Sequence, residues 1–175
     1  MSRDTSSVRL LDPRGELALA RPMLARRPDA AALAAGTVLF YDNTKLDVGH
    51  FGGLLPALKA GLAARGIARF ADERLTIRGT SGQDIDALAR RFQALGVSAA
   101  VIALADMGVS PAMVALTVAM ERLGIPTVCL TAGPGSRLAR AHAHYRAGQL
   151  CLLPYDIHPG SSAQTVRQLA DDSVA

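Results

Sequence analysis

Aromatic side chains are scarce in this sequence. Phe, Trp and Tyr together make up 4% of the 175 residues, and Trp is absent. Proteins that bind single-stranded nucleic acid stack the bases on aromatic rings. The net charge of +4 comes from arginines that are scattered along the chain and form no basic stripe. The composition therefore argues against a nucleic-acid partner.

Long hydrophobic runs are absent as well. No apolar stretch approaches the roughly 20 residues that a membrane-spanning helix needs. The opening MSRDTSSVRL lacks the basic region and following apolar block that mark a secretory signal. We therefore expect no membrane partner and a cytoplasmic location.

Cysteine and histidine are also few. Cys129 and Cys151 each lie in an apolar, strand-like run, where a thiol usually behaves as a small buried hydrophobe. We expect neither a structural disulfide nor an exposed nucleophile. His142 and His144 have alternate spacing on a predicted helix, so they would lie on different faces. No metal site is predicted from that pair.

The common nucleotide-binding and nucleophile motifs are missing. The sequence has no GxGxxG after its first predicted strand, no GxxxxGK[ST] and no GxSxG. These patterns supply phosphate-binding turns or an exposed serine. The cofactor is therefore unknown, with no nucleotide or metal motif to suggest one.

The chain divides into two parts by pattern. In residues 1–36, prolines at positions 13, 22 and 28 interrupt any long periodic pattern. We interpret this part as an N-terminal arm that packs on the domain or on a neighbouring subunit, with a frayed terminus as the alternative. Residues 37–175 are predicted to form one α/β domain.

Strands and helices alternate regularly through this domain. Apolar runs predict strands near residues 37–41, 67–77, 99–105, 125–130 and 150–154. Helical periodicity fills the segments between them, with glycines at 66, 96 and 124 as helix ends. Right-handed crossovers then predict a three-layer αβα sandwich with a flavodoxin-like parallel sheet of about five strands, in the order 2-1-3-4-5.

Polar residues follow the predicted strands, at the edge where such sheets bind ligands. Carboxylates, an ammonium group and imidazoles are the chemically useful types among them. After the first strand they are Asp42, Asn43, Thr44, Lys45 and His50; after the third, Asp106, Gly108 and Ser110; after the fourth, Thr131; after the fifth, His158. We take Asp42, Lys45, Asp106 and His158 as candidate catalytic residues and the others as substrate-binding residues.

The proposed roles compete with simpler ones. Asp42 and Asp106 would face each other across a crevice, where one carboxylate can act as acid or base, or each can merely cap a loop. Lys45 can hold an anionic group or be a solvated surface lysine, and lysine occurs elsewhere only at position 59. Ser110 before Pro111 is explained by helix capping, although a helix start can also bind an anion. His158 can transfer a proton or hold a turn.

Several phrases together resemble a known family. They are VRLLDPRGE, YDNTK, ADMGVSP, ERLGIPTVCLT and the closing LPYDIHPGSS. The chain resembles the UGSC family, cysteine or selenocysteine proteins related to the substrate-specific B components of glycine, sarcosine and betaine reductases. The resemblance implies an αβα sandwich that works on small molecules.

One departure limits what the resemblance implies. In the family the loop after the third strand carries a U/C-G-S-C signature, whereas here it reads DMGVSP, without cysteine. The family's redox chemistry therefore does not transfer. Asp42, Asn43, Lys45, Asp106, Gly108 and His158 carry over as candidate site positions, with Ser110 near the position of the missing thiol.

The residues and the resemblance together lead to one expectation and one alternative. We expect a small-molecule enzyme or enzyme subunit, such as a lyase, reductase or transferase subunit, that acts on a carboxylate- or amino-acid-like substrate. The alternative is a non-catalytic partner subunit in a heteromeric complex with a cysteine-bearing homologue. Either a homo-oligomer or such a heteromer is expected.

Overall fold

The structure is a computed structural model. It describes residues 24–43, 51–74, 82–104, 110–132, 137, 139–140, 150–155 and 161–174. The five strands found there are β1 (Thr37–Asp42), β2 (Phe70–Arg74), β3 (Val97–Leu104), β4 (Thr127–Ala132) and β5 (Cys151–Tyr155). They form one sheet in the order β2-β1-β3-β4-β5, and every neighbouring pair is parallel. The predicted flavodoxin-like sheet and its strand order are confirmed.

Helices cover both faces of this sheet. Five are bounded in the described residues: α1 (Ala30–Ala35), α2 (Phe51–Ala63), α3 (Gly82–Ala94), α4 (Ser110–Arg122) and α5 (Ala163–Val174). One hydrophobic cluster joins α3 and α4 to the face of β1 that carries Leu39 and Tyr41. A second joins α2 and α5 to the opposite face, which carries Val38 and Phe40, and α1 packs beside it. The layers follow from the alternation of side chains along each strand.

The helix boundaries have local causes. Gly66, Gly96 and Gly124 have φ values of 84°, 74° and 81°, the left-handed conformation that glycine adopts most readily after a helix. At the other end, the Ser162 hydroxyl accepts a hydrogen bond from the backbone N–H of Thr165, which caps α5. The predicted helix ends at the three glycines are all present.

The second strand is shorter at its start than the sequence predicts. The predicted strand begins at residue 67, whereas β2 begins at Phe70, and residues 75–77 lie outside the described residues. Ile67 instead belongs to the turn after α2, where its N–H donates to the Leu62 carbonyl at 3.1 Å. The polar sequence of β2 fits its position as an edge strand. Asp72 pairs with Lys59 of α2, and Glu73 pairs with Arg91 of α3.

Of the predicted N-terminal arm, residues 24–36 are described and residues 1–23 lie outside the described part of the chain. The described portion contains α1, which Asp29 caps by accepting a hydrogen bond from the Ala32 N–H at 2.8 Å. Leu33 of α1 packs against the cluster beneath α2 and α5. This portion therefore packs on the sheet domain. Among the described residues, no helix is both long and apolar enough to cross a membrane.

A buried carboxylate connects this N-terminal portion to the domain. The Glu121 side chain, at the end of α4, is 0% exposed. Its Oε2 accepts from the Ala25 N–H at 2.8 Å, and its Oε1 accepts from Arg27 Nη1 at 2.6 Å and from the Thr127 N–H at 2.8 Å. Three donors from two segments, the residues before α1 and the start of β4, therefore meet on one side chain. We call these residues the Glu121 junction.

Neutralising Glu121 is expected to destabilise the fold. In Glu121→Gln the amide presents an NH₂ group to at least one of the three donors, and a buried donor without an acceptor costs roughly 1–3 kcal/mol, more when charged. We expect a loss of about 3 kcal/mol in the free energy of unfolding, measured by urea denaturation. The control Asp86→Asn removes one carboxylate from an exposed position on α3 and should stay within about 0.5 kcal/mol. Equal losses in the two variants would contradict the role of the junction.

The two cysteines differ in exposure, which corrects one expectation. Both are free thiols, and Cys129 is buried as predicted, but Cys151 is exposed. Cys151 is the first residue of the edge strand β5 and belongs to neither hydrophobic cluster. When an apolar run forms an edge strand, some of its side chains can therefore remain exposed.

Thiol labelling should separate the two cysteines. Burial raises the pKa of the Cys129 thiol from 9.0 to about 12, so at pH 8–9 it stays protonated and unreactive, because the thiolate is the nucleophile. With a disulfide reagent we expect one thiol to react in the native protein and both to react in denaturant. Cys151→Ser should abolish the native reaction, whereas Cys129→Ser should leave it unchanged. Rapid native labelling of Cys129 would refute this assignment.

Candidate site at the carboxyl edge of the sheet

Two predicted site residues lie together where β1 ends. Asp42 is the last residue of β1 and is aligned with Arg74 on β2 and Ala103 on β3. Asn43 follows, with its N–H donating to the Ala103 carbonyl at 3.4 Å. Asn43 is 0% exposed. These residues lie at the carboxyl edge of the sheet, by which we mean the side where the parallel strands end.

The two neighbouring strands at this point connect to opposite layers. The chain after β1 leads to α2 on one face, and the chain after β3 leads to α4 on the other. In open parallel sheets such a divergence leaves a crevice outside the strand ends, and ligands bind there. Asp42 and Asn43 therefore lie beside the crevice position of this sheet.

Arg74 is a candidate that sequence reasoning missed. Its Nε lies 3.8 Å from Asp42 Oδ2, and the arginine side chain is 69% exposed against 18% for the aspartate. An ion pair this exposed adds little stability. A guanidinium group, however, can bind a carboxylate through two parallel hydrogen bonds. In the sequence, Arg74 is recognisable only as a residue near the end of the second strand. Its position beside Asp42 depends on the exact register of β1 and β2, which the sequence does not give.

The start of α4 supplies a second feature of this edge. α4 begins at Ser110, and Pro111 is its second residue. The first N–H groups of a helix have no partners within the helix, and the helix dipole gives this end a partial positive charge. Since α4 follows β3, its N-terminus lies at the carboxyl edge. The predicted helix start is thus present, at the position predicted to receive an anion.

Thr131 lies deeper than the other described candidates. It is the penultimate residue of β4, aligned with Leu104 and Pro154, and is 1% exposed. It belongs to the sheet face that carries Cys129, which α4 covers. Its predicted role as a substrate-binding residue stays a prediction.

The remaining candidates lie outside the described residues. They are Thr44, Lys45, His50, Asp106, Gly108 and His158. Their predicted roles stay predictions, including the approach of Asp106 to Asp42. Among the described residues no group of three or more His, Cys, Asp or Glu side chains could hold a metal ion.

No protein-family model matches the chain, and no curated protein matches it. The resemblance to the UGSC family therefore rests on the quoted sequence phrases alone.

Asn43 and Asp42 should respond differently to substitution. Asn43 is fully buried, so Asn43→Ala opens a void in the interior, and we expect a loss of roughly 1–3 kcal/mol. Asp42→Asn keeps the shape and weakens the 3.8 Å ion pair with the exposed Arg74 side chain, so we expect a loss of less than about 1 kcal/mol. Urea denaturation measures both. A larger loss for Asp42→Asn would mean that Asp42 holds the fold and is not available for chemistry.

Proposed function

We propose that this chain is a small-molecule enzyme, or a subunit of one, that acts on a carboxylate- or amino-acid-like substrate at the carboxyl edge between β1 and β3. The observation that carries the proposal is the position of Asp42 and Asn43 where β1 ends, between strands whose connections lead to opposite layers. An exposed guanidinium group from Arg74 and the start of α4 support it. A carboxylate beside two sources of positive potential suits an anionic substrate that exchanges a proton.

Each described group has one proposed role. Arg74 and the N-terminus of α4 bind the substrate carboxylate, because both present N–H donors and positive charge. Asp42, partly shielded from water, exchanges a proton with the bound substrate. Lys45, Asp106 and His158 are proposed as further members of the site on sequence grounds. The residues between strand three and α4 contain no cysteine, so the proposed chemistry uses carboxylate, lysine and histidine groups.

A binding screen tests the substrate class first. Glycine, sarcosine, betaine and short-chain carboxylates are titrated into the purified chain, and binding is followed by calorimetry. For a compound that binds, we expect Arg74→Gln to weaken the affinity about tenfold or more, since hydrogen bonds to charged groups contribute about 1.5–3 kcal/mol. Asp42→Asn should change binding less than turnover.

Two matched controls locate the effect at this edge. Arg69→Gln removes the same charge near the opposite end of β2, and Asp171→Asn removes a carboxylate from the exposed end of α5. Both should bind like the unmodified chain. If Arg74→Gln also binds like the unmodified chain, the anion site is misplaced. If Lys45→Ala and Asp106→Asn both keep full turnover of a converted compound, the wider catalytic assignment is wrong.

A further inference from the structure

The described part of the chain contains a cavity of about 330 Å³. It lies against the sheet face that carries Val38 and Phe40, beneath the second half of α2 and the end of α5. Its wall includes the first residues of β4, so it extends inward from the amino edge, where the parallel strands begin. Arg27 and Pro28 line its N-terminal side.

The packing of the helices explains why a cavity forms there. α2 and α5 pack against each other, and the position of a Cβ on Gly53 would come within 3.5 Å of a Val166 methyl group. This pair leaves parts of β3, β4 and β5 on the same face less covered. Val101 and Val128 are only partly buried, and Leu153 is 37% exposed.

The surface of the cavity is mainly apolar. The hydroxyl groups that line it already donate within the fold: Tyr155 to Ser173 Oγ at 2.7 Å, Ser173 to the Leu169 carbonyl at 2.5 Å, and Thr127 to the Ile125 carbonyl at 3.0 Å. The other wall residues are almost all apolar. An apolar cavity of this kind binds apolar groups in preference to water.

A single charged side chain lines the cavity among the described residues. Arg27 Nη1 donates to Glu121, but the arginine side chain remains 44% exposed. A guanidinium group has five N–H donors in a planar fork, so one that is bonded through Nη1 can also contact an anion at the mouth. The cavity thus combines an apolar interior with a cation at its entrance.

From this combination we infer that the cavity binds a medium-chain aliphatic carboxylate, with its tail against Val128 and Leu153 and its head group beside Arg27. At about 30 Å³ for each water-sized group, the volume accommodates a chain of about ten carbons. The ligand class differs from the short polar substrates proposed for the carboxyl edge, and the inference does not depend on that proposal.

Calorimetric titration of the purified full chain with hexanoate, octanoate and decanoate tests the inference. We expect decanoate to bind and the affinity to rise about fourfold for each added methylene, the increment for burying one CH₂ group. Acetate, which has the head group without the tail, should neither bind here nor displace decanoate. Decanol should bind more weakly than decanoate, because it lacks the charge that Arg27 recognises.

Substitutions place the ligand within the cavity. Val128→Phe fills the interior and should reduce decanoate affinity at least tenfold, whereas Leu95→Phe on the opposite layer, where Leu95 is 65% exposed, should leave it unchanged. Arg27→Gln should weaken decanoate but not decanol, and Arg27→Lys should restore part of the loss. Arg26→Gln, an exposed neighbour outside the cavity, is the charge-matched control. Circular dichroism confirms that each variant is folded.

Several results would overturn the inference. They are the absence of decanoate binding at millimolar concentration, displacement of bound decanoate by acetate, or undiminished affinity in folded Val128→Phe. Light scattering measures the molar mass in the same samples. If decanoate bound only after a dimer dissociated, a second copy of the chain would cover this face, and the inference would also be wrong. Asp42→Asn should not affect decanoate affinity, which keeps this test separate from the one at the carboxyl edge.

Discussion

The arrangement of the N-terminal portion of this domain depends on one buried carboxylate. Removing an ion from water costs several kcal/mol, and Glu121 is accommodated because the Ala25 N–H, the Arg27 guanidinium and the Thr127 N–H all donate to it. Those donors belong to the segment before α1 and to the start of β4. The same contacts place Arg27 at the mouth of the apolar cavity. One side chain therefore joins sheet, helix and N-terminal segment, and gives the cavity its only charged wall residue in the described structure.

The two ends of the sheet differ in chemistry because all its strands are parallel. The helices run back across the sheet, so α4 starts at the carboxyl edge, where its dipole is positive, and the polar pair Asp42 and Asn43 lies at the same edge. α2 ends toward the amino edge, where the side chains around the cavity are hydrocarbon. Parallel topology thus separates a polar crevice from an apolar cavity in a single small domain.

Sequence periodicity predicted the layers and the strand order, since buried parallel strands read as apolar runs and glycines mark helix ends. It was wrong about the burial of Cys151, because burial at an edge strand depends on which helices reach it. It was also wrong about where β2 starts, because the apolar Ile67 belongs to the turn after α2. It placed Asp42 and Asn43 at the end of the first strand but did not bring Arg74 beside Asp42, because that position depends on the register of two strands. The role of Glu121 was also missed, because its three donors are brought together only by the folded chain.

The two outer strands of the described sheet, β2 and β5, differ in the features that disfavour pairing with a strand of another molecule. β2 presents Asp72 and Glu73, each matched by a cation from a neighbouring helix, and charged side chains discourage another strand from adding to an edge. β5 contains Pro154, which has no N–H to offer an incoming strand. Charge on one edge of the described sheet and proline on the other both disfavour the addition of a further strand, including beside the exposed Cys151 and Leu153 of β5.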